Sequence, residues 1–556
     1  MVSGPSYKRL GTNTDGLLFK YKLAKALTIV SLLAVIVMAL GSLVYPASRW
    51  NMTTDDSNVN ELEMASPSTV DDPSTVVADP ECQLPPELFI AKSQDGSYTP
   101  PHPDPTLLQA IKLAAPGDVD NYCRNTYDRT NGFVDTVPYN VNGECGNWQQ
   151  QYHTLHQQRL KQLEMMQNGQ LDALTEPPRF ISYLCREVAT VGNRGCGGLA
   201  DRMSGMISTF FYALLTDRAY LAHWADENPI PLEILFEKPN IDWTYDPSKV
   251  PALFNHPERG ITYQQVDTLN QKYEVLGNTM FPDGPTQDFQ DLWNGTFVEA
   301  RSNRAYIIRT FKESSIYPET LAKMGLDKEN TFGCLTDYLF RPTIGSRRFI
   351  NAYRDLFQMN SVLSIGMQVR TDDNALANPQ LDHNSLEMWD YYLTCANQVA
   401  SVQRRPHHKR VVYFMITDSL RLRDEFKSLN TNTTLAKQFL GQYFDETSTV
   451  VTGLPVEHIE PEQVEKYIHV ENPVEVTRER MTPGVNSAVI ENWLLSYADF
   501  RIISPQGYGK LAAFHSRSDN STISLPRNAQ KHRAPDCTKP EALAKYDWLA
   551  TQWSLG

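Results

Sequence analysis

Residues 26–45 run without a single charged side chain, and Lys8, Arg9, Lys20, Lys22 and Lys25 all precede them. A helix of about 20 apolar residues covers the ~30 Å of a bilayer's hydrocarbon, and cations on one side orient it, so the stretch predicts a signal anchor with a cytosolic N-terminus. Ser, Thr, Asp and Pro dominate residues 46–81. Too few large apolar side chains are present there to offset the entropy of ordering, which predicts a flexible stem. Helical spacing comes next: Tyr152, Leu155, Leu160, Leu163 and Met166 share one face of a helix that Gly169 ends. Beyond it, short apolar runs alternate with helical stretches at 180–184, 203–215, 362–369 and 411–416, and at 493–495 leading into 501–503. Strand followed by helix, repeated, predicts an α/β fold with parallel sheets. Turn chemistry over residues 340–351 puts a domain boundary near 345. The expected organisation is therefore a cytosolic tail (1–25), an anchor (26–45), a stem (46–81) and two domains, 82–345 and 346–556.

Charge and cysteine usage sharpen this picture. The 556 residues carry a net charge of −14, unevenly spread: residues 1–50 sum to +5, residues 51–81 hold eight acids and no Lys or Arg, and the remainder carries −11. A head this acidic repels polyanions, and no nucleic-acid partner is expected. All eight cysteines follow residue 81, and Asn51, Asn294, Asn432 and Asn520 open Asn-x-Ser/Thr glycosylation acceptors. Both features suit a lumenal head with disulfides, although eight cysteines allow 105 pairings. No Cys-x-x-Cys or His-x-x-x-His spacing suggests zinc. The one Asp-x-Asp triplet, Asp118-Val119-Asp120, sits in a Pro- and Asn-rich stretch and reads as a solvated loop, so no metal and no other cofactor is expected.

Three segments could carry chemistry. Gly192-Asn-Arg-Gly-Cys-Gly-Gly-Leu-Ala-Asp-Arg-Met203 puts glycines ahead of an amphipathic helix, with Asp201 and Arg202 in its first turn. Glycines there either expose N–H groups to a ligand or make a tight turn capped by a carboxylate. Ser364-Ile-Gly-Met-Gln-Val-Arg370-Thr-Asp-Asp373 reads as a buried strand ending in an arginine and two acids. Ligands of open α/β sheets lie outside the carboxyl ends of strands, where a guanidinium can hold a diphosphate bidentately. The competing reading is a salt bridge from Arg370 to Asp372 or Asp373. Phe500-Arg-Ile-Ile-Ser-Pro-Gln-Gly507-Tyr-Gly509-Lys-Leu-Ala512 is a strand, then Gly-x-Gly-x-x-Ala, then a helix, the spacing of a nucleotide-phosphate loop.

Together these segments resemble the plant xyloglucan α-1,2-fucosyltransferase family, glycosyltransferase family 37. The ordered similarities are Gly198-Leu-Ala-Asp-Arg202 with Phe211-Tyr-Ala-Leu-Leu-Thr-Asp-Arg218, then Leu235-Phe236 with Pro239 and Trp243. Tyr338-Leu-Phe-Arg-Pro-Thr343, Ile365-Gly-Met-Gln-Val-Arg370 and Glu491-Asn-Trp-Leu-Leu-Ser-Tyr-Ala-Asp499 follow. The resemblance implies two Rossmann-like domains, a variant of the GT-B arrangement, behind a transmembrane helix and stem. It implies a single-pass type II Golgi membrane enzyme that transfers L-fucose from GDP-fucose to an acceptor oligosaccharide or polysaccharide of the cell wall, with inversion and without metal, forming an α-1,2 linkage to galactose.

Under the resemblance the C-terminal domain binds GDP-fucose through Arg370, Gln368, Gly507, Tyr508 and Gly509, with Arg370 also stabilising the leaving GDP. Gly197, Gly198, Asp201 and Arg202 would line the cleft on the acceptor side. This chain departs from the family where Asp201 replaces an asparagine, where Cys185 and Cys196 could bridge a longer loop, and where the stretch from Ser302 to Tyr306 lacks an acid. The general base is thus open among Asp201, Asp372 and Asp373. Transfer of another GDP-sugar, or a non-catalytic, membrane-tethered glycan-binding role on the same fold, are the alternatives, and a homodimer is allowed for.

Overall fold

The computed structural model describes residues 98–551, apart from 132–142, 186–195, 225–229, 269–277, 281–287, 305, 372–374, 376–378, 457–477 and 527–534. In chain order the strands are β1 Phe180–Cys185, β2 Ala219–Trp224, β3 Phe236–Glu237, β4 Tyr263–Asp267, β5 Phe297–Arg301, β6 Arg341–Pro342, β7 Val362–Val369, β8 Arg410–Thr417, β9 Thr447–Val450, β10 Phe500–Ile503 and β11 Thr522–Ser524. The principal helices are α1 Pro105–Lys112, α2 Pro116–Asn131, α3 Gln149–Gln167, α4 Leu199–Leu215, α5 Thr331–Leu339, α6 Ile344–Phe357, α7 Asp390–Gln403, α8 Leu420–Ser428, α9 Arg478–Tyr497 and α10 Gly507–His515.

Two parallel sheets organise these elements, one in the order β2-β1-β5-β4 and one in the order β11-β10-β7-β8-β9, with β3 and β6 paired as a short antiparallel ribbon. The expected α/β class with parallel sheets is what the chain adopts. Both faces of the second sheet are covered, as parallel sheets require. Leu363, Ile365, Met367 and Val369 of β7 join Tyr392, Ala396 and Val399 of α7 in one core. The intervening positions of β7 are small or polar and lie under α9. A Cβ on Gly366 would come within 2.6 Å of Leu495 Cδ1 and 3.2 Å of Ala498 Cβ, so glycine is what lets α9 lie this close.

Helix α4 is buried nearly all round and packs on β1, β2, α5 and α10, so it belongs to the layer that joins the two sheets. Arg218, just after it, is 1% exposed and donates to the carbonyls of Phe180 (3.2 Å), Gly295 (2.6 Å) and Trp293 (2.7 Å). That guanidinium ties the starts of β1 and β5 together, and burial pushes it down to about 9. Disulfides Cys145–Cys334, Cys185–Cys196 and Cys395–Cys537 are formed, and Cys123 is disulfide-bonded as well.

Three expectations change. The turn expected over 340–351 is instead strand β6 followed by α6, whose apolar positions Phe349, Ile350, Tyr353, Leu356 and Phe357 are buried. Asp118 is not in a solvated loop but in the first turn of α2, where its Oδ2 accepts the Ser361 N–H (2.8 Å) just ahead of β7. Finally, against the expected single-pass Golgi-membrane protein, no helix among the described residues is long and apolar enough to cross a membrane. That localisation is withdrawn; the segments named as anchor and stem, with Asn51, lie outside the described residues.

Helix α3 covers the residues expected of it, yet also buries His156, whose Nε2–H donates to the Tyr220 carbonyl (2.9 Å). Burial lowers this imidazole to about 4. Its folded value lies below the unfolded one, so as pH falls the unfolded chain takes the proton first. Stability is full above about pH 6.5 and declines between pH 6.5 and 4. His156→Gln, which keeps a donor for Tyr220, is expected to remove about 2–3 kcal/mol of the stability difference that urea unfolding records between pH 7 and pH 4.5.

Candidate functional site

From β7 the chain steps to β8 and β9 on one side of the sheet, then crosses back to β10 and β11 on the other. At such a reversal the connections leave in opposite directions and a crevice opens beyond the strands' carboxyl ends. Three side chains stand directly at those ends: Arg370 after β7, Asp418 after β8 and Ser504 after β10.

They are bonded to one another. Arg370 Nη1 forms an ion pair with Asp418 Oδ2, while Asp418 Oδ1 accepts from the Thr371 N–H (2.7 Å) and hydroxyl (2.8 Å). Burial raises the Asp418 carboxyl above its usual value, against the downward pull of the Arg370 guanidinium and the Thr371 bonds. The Arg370 N–H donates to Ser504 Oγ (2.9 Å), and that hydroxyl gives its own proton to the Gln368 carbonyl (3.1 Å). Since Ser504 has one proton, the Tyr392 hydroxyl, 2.7 Å away, must be the donor of the remaining bond. The result is an arginine whose guanidinium, about one-fifth exposed, pairs with Asp418 after β8 while its backbone N–H is held by Ser504 after β10. Chemically it is a fixed cation at the mouth of a crevice, suited to a phosphate group.

Helix α10 begins beside it. Gly507, Tyr508 and Gly509 form the helix's first turn rather than a loop ahead of it, with Gln506 at the N-cap. A Cβ on Gly509 would meet Ile503 Cβ at 2.6 Å and Gln368 Oε1 at 2.9 Å, so this glycine seats the helix on the strand ends. The Tyr508 hydroxyl donates to the Ala488 carbonyl (2.6 Å), which turns that side chain toward α9. Gln368 lies between the two features, its Oε1 accepting the Ser504 N–H (3.2 Å).

The earlier glycine segment sits at the start of α4. Gly198 is the N-cap, and Gly197 has φ +81° with Asp201 directly beneath, where a Cβ would approach Asp201 Oδ2 to 2.6 Å. Arg202 is fully buried: its Nε donates to the Gly197 carbonyl (2.8 Å), and its guanidinium lies 5.2 Å from the Trp224 ring centroid and against the Cys185–Cys196 bridge. It holds the loop in shape from within. Asp372 and Asp373 lie outside the described residues, and Asn294, Asn432 and Asn520 are exposed.

Sequence reasoning passed over Asp418, Thr371 and Tyr392. Asp418 could have been found by the rule that singled out Arg370, since it too directly follows a buried parallel strand. Glu491, matched only as part of a motif, is a buried carboxyl that accepts the Thr452 hydroxyl beyond β9; burial raises it to about 7. Among the described residues no group of three or more His, Cys, Asp or Glu side chains could hold a metal ion.

Residues 92–267 match the xyloglucan fucosyltransferase family, so the resemblance read from the motifs holds over that stretch. No curated protein sequence matches the chain. Similar solved structures include a mutant of Arabidopsis thaliana FUT1 in complex with GDP, 14% identical, with a TM-score of 0.43, covering 78% of this chain and 89% of that one. The fucosyltransferase NodZ from Bradyrhizobium is 13% identical, with a TM-score of 0.32, covering 60% of this chain and 92% of that one.

If Gly509 is what seats α10 on the strand ends, Gly509→Ala should cost about 1–3 kcal/mol in urea unfolding, the range for overpacking a close contact. An unchanged midpoint would show that the helix can shift without loss.

Proposed function

We propose that the chain transfers L-fucose from GDP-fucose to a glycan hydroxyl, with inversion and without a metal ion, the acceptor being galactose and the product an α-1,2 linkage. The observation that carries this reading is the fixed guanidinium of Arg370 at the strand-order reversal, in a chain whose residues 92–267 match xyloglucan fucosyltransferases. In the proposed reaction the acceptor oxygen attacks the fucosyl anomeric carbon from the face opposite GDP. The bond from that carbon to the phosphate oxygen breaks, and its electron pair leaves with the diphosphate. Negative charge therefore grows on GDP as the sugar becomes oxocarbenium-like, and a cation already in place stabilises that change without reorganising. Asp418 and Ser504 position Arg370 for this.

The second sheet and the first turn of α10 would hold the donor, with residues 346–556 as the donor domain and 82–345 as the acceptor domain. The acceptor proton goes to a base, for which Asp201 is the described candidate. Transfer of another GDP-sugar would use the same cation.

A second reading, a glycan-binding protein without turnover, draws on one specific observation: Ser302, Asn303, Arg304 and Tyr306 at the end of β5 include no carboxylate.

GDP release from GDP-fucose, measured in excess EDTA with and without galactose-terminated acceptors, separates these readings. Acceptor-stimulated release that Arg370→Ala lowers by roughly 10²-fold or more is the expected result. Release from GDP-mannose alone would shift the donor, and glycan binding that survives Arg370→Ala with no GDP released by either protein would favour the second reading.

A further inference from the structure

Helix α10 carries a second cation that the reading above leaves unused. Lys510 is 0% exposed, and its Nζ finds no hydrogen-bond acceptor among the described residues. An enclosed ammonium without a partner is among the costlier arrangements a fold can carry, because desolvation penalises the charge and nothing offsets it. Three other enclosed cations are treated differently. Arg202, Arg218 and Arg501 each donate to backbone carbonyls, Arg501 to those of Ser496 (3.1 Å) and Ala498 (2.6 Å).

Of the charged and titratable groups on the elements packed against α10, Glu479 of α9 is exposed and the Tyr212 hydroxyl of α4 is buried without a partner among the described residues, while the carboxylates and guanidinium groups nearer the helix are placed as follows. Glu491 of α9 holds Thr452, and Asp337 of α5 pairs with His515 (2.8 Å) and Arg517. On α4, Asp201 lies beneath Gly197, and Arg202 grips the loop. Arg501 of β10 is bonded as described, and the Tyr508 hydroxyl is turned to Ala488. Consistent with this isolation, burial alone lowers the Lys510 amine to about 8.

Its position is specific. Lys510 directly follows Gly509, the residue pressed against Gln368 at the carboxyl end of β7. Side chains on a helix lean toward its N-terminus, which here is the end that starts beside Arg370 and Ser504. That same end of α10 presents unbonded backbone N–H groups and the positive end of the helix dipole. An ammonium without an acceptor next to such a terminus lacks only an anion.

We propose that Lys510 is a second cation for the diphosphate of the nucleotide donor, complementary to Arg370 and reached from the first turn of α10. The inference rests on the nucleotide-sugar reading and deepens it. Arg370 approaches from the strand end, already oriented by Asp418. Lys510 sits without a counter-ion until the diphosphate arrives and forms the ion pair; above about pH 8, where part of the amine is neutral, it takes a proton from solvent as it does so.

Isothermal titration of GDP into the full-length protein at pH 8.5, in two buffers of different ionisation enthalpy, tests this. At that pH the diphosphate is fully ionised, so proton uptake reports on the protein. The wild type is expected to take up roughly half a proton or more per GDP bound. Lys510→Met is expected to bind GDP about tenfold more weakly, to take up no proton, and to melt no lower than the wild type, since it removes a buried amine that lacks a partner. Wild-type binding without proton uptake would overturn the assignment whether or not the variant folds. So would equal GDP affinity and equal uptake in both proteins. Absence of GDP binding by the wild type would instead defeat the donor reading, and this inference with it.

Discussion

Everything proposed for this chain depends on the register of β10 against β7. The pairing runs from Phe500 opposite Ile365 to Ile503 opposite Gln368, only four residues long. It is clasped at both ends by side chains. At the start Asp499 Oδ2 accepts the N–H and hydroxyl of Ser364 (both 2.8 Å), and the Asp499 N–H donates back to Ser364 Oγ (2.9 Å). At the far end Ser504 bonds to Gln368 and receives the Arg370 N–H. A slip of one residue would exchange the two faces of the strand. Ser364, Gly366 and Gln368 would then enter the apolar core under α7, and Arg370 would leave the crevice.

The two clasps give the alternation of β7 its meaning. Its apolar positions supply burial on one face, and its small or polar positions supply register and approach on the other. Asp499, at the end of the segment 491–499, is thus a structural residue that brings Ser504 to Arg370. Ser504 holds the backbone of Arg370 and Asp418 its guanidinium, and α10 follows Ser504 closely enough that its first turn shares the same crevice.

Cations in this fold divide into two kinds. Arg202, Arg218 and Arg501 are enclosed and saturated by carbonyl oxygens, hydroxyls or a ring face, and they work as cross-links between elements far apart in sequence. Arg370 and Lys510 differ from these. The first is partly exposed and pairs with the Asp418 carboxylate; the second is enclosed and without an acceptor among the described residues. Place alone does not make the difference, since Arg202 lies against Cys185 and Trp224 at the carboxyl ends of β1 and β2, yet its guanidinium is already bound to the Gly197 carbonyl. Ligands of parallel sheets bind at those carboxyl ends.

Local pattern was enough for the α/β class, for helix α3, for β1, β7, β8 and β10, and for the placement of Arg370 at a strand end, because each depends on residues adjacent in sequence. It missed β5 and β9, whose sequences, Phe-Val-Glu-Ala-Arg and Thr-Ser-Thr-Val, mix polar and charged residues into buried strands and so show no apolar run. It misjudged residues 340–351, where Pro342 and Gly345 suggest a turn but the buried face of α6 overrides them. The bonds of Arg370 were beyond it, since Asp418 and Ser504 lie 48 and 134 residues away, and only parallel pairing brings Asp418 to the guanidinium and Ser504 to the backbone N–H. The same limit hid the role of Arg202, which composition offers as a ligand-binding cation. Sequence alone therefore determined which side chains the chain has to bind an anion, and tertiary structure decided which of them serve instead as internal cross-links. The physical reason is that a charged group's availability depends on which carbonyls, carboxylates and rings the fold has already brought against it.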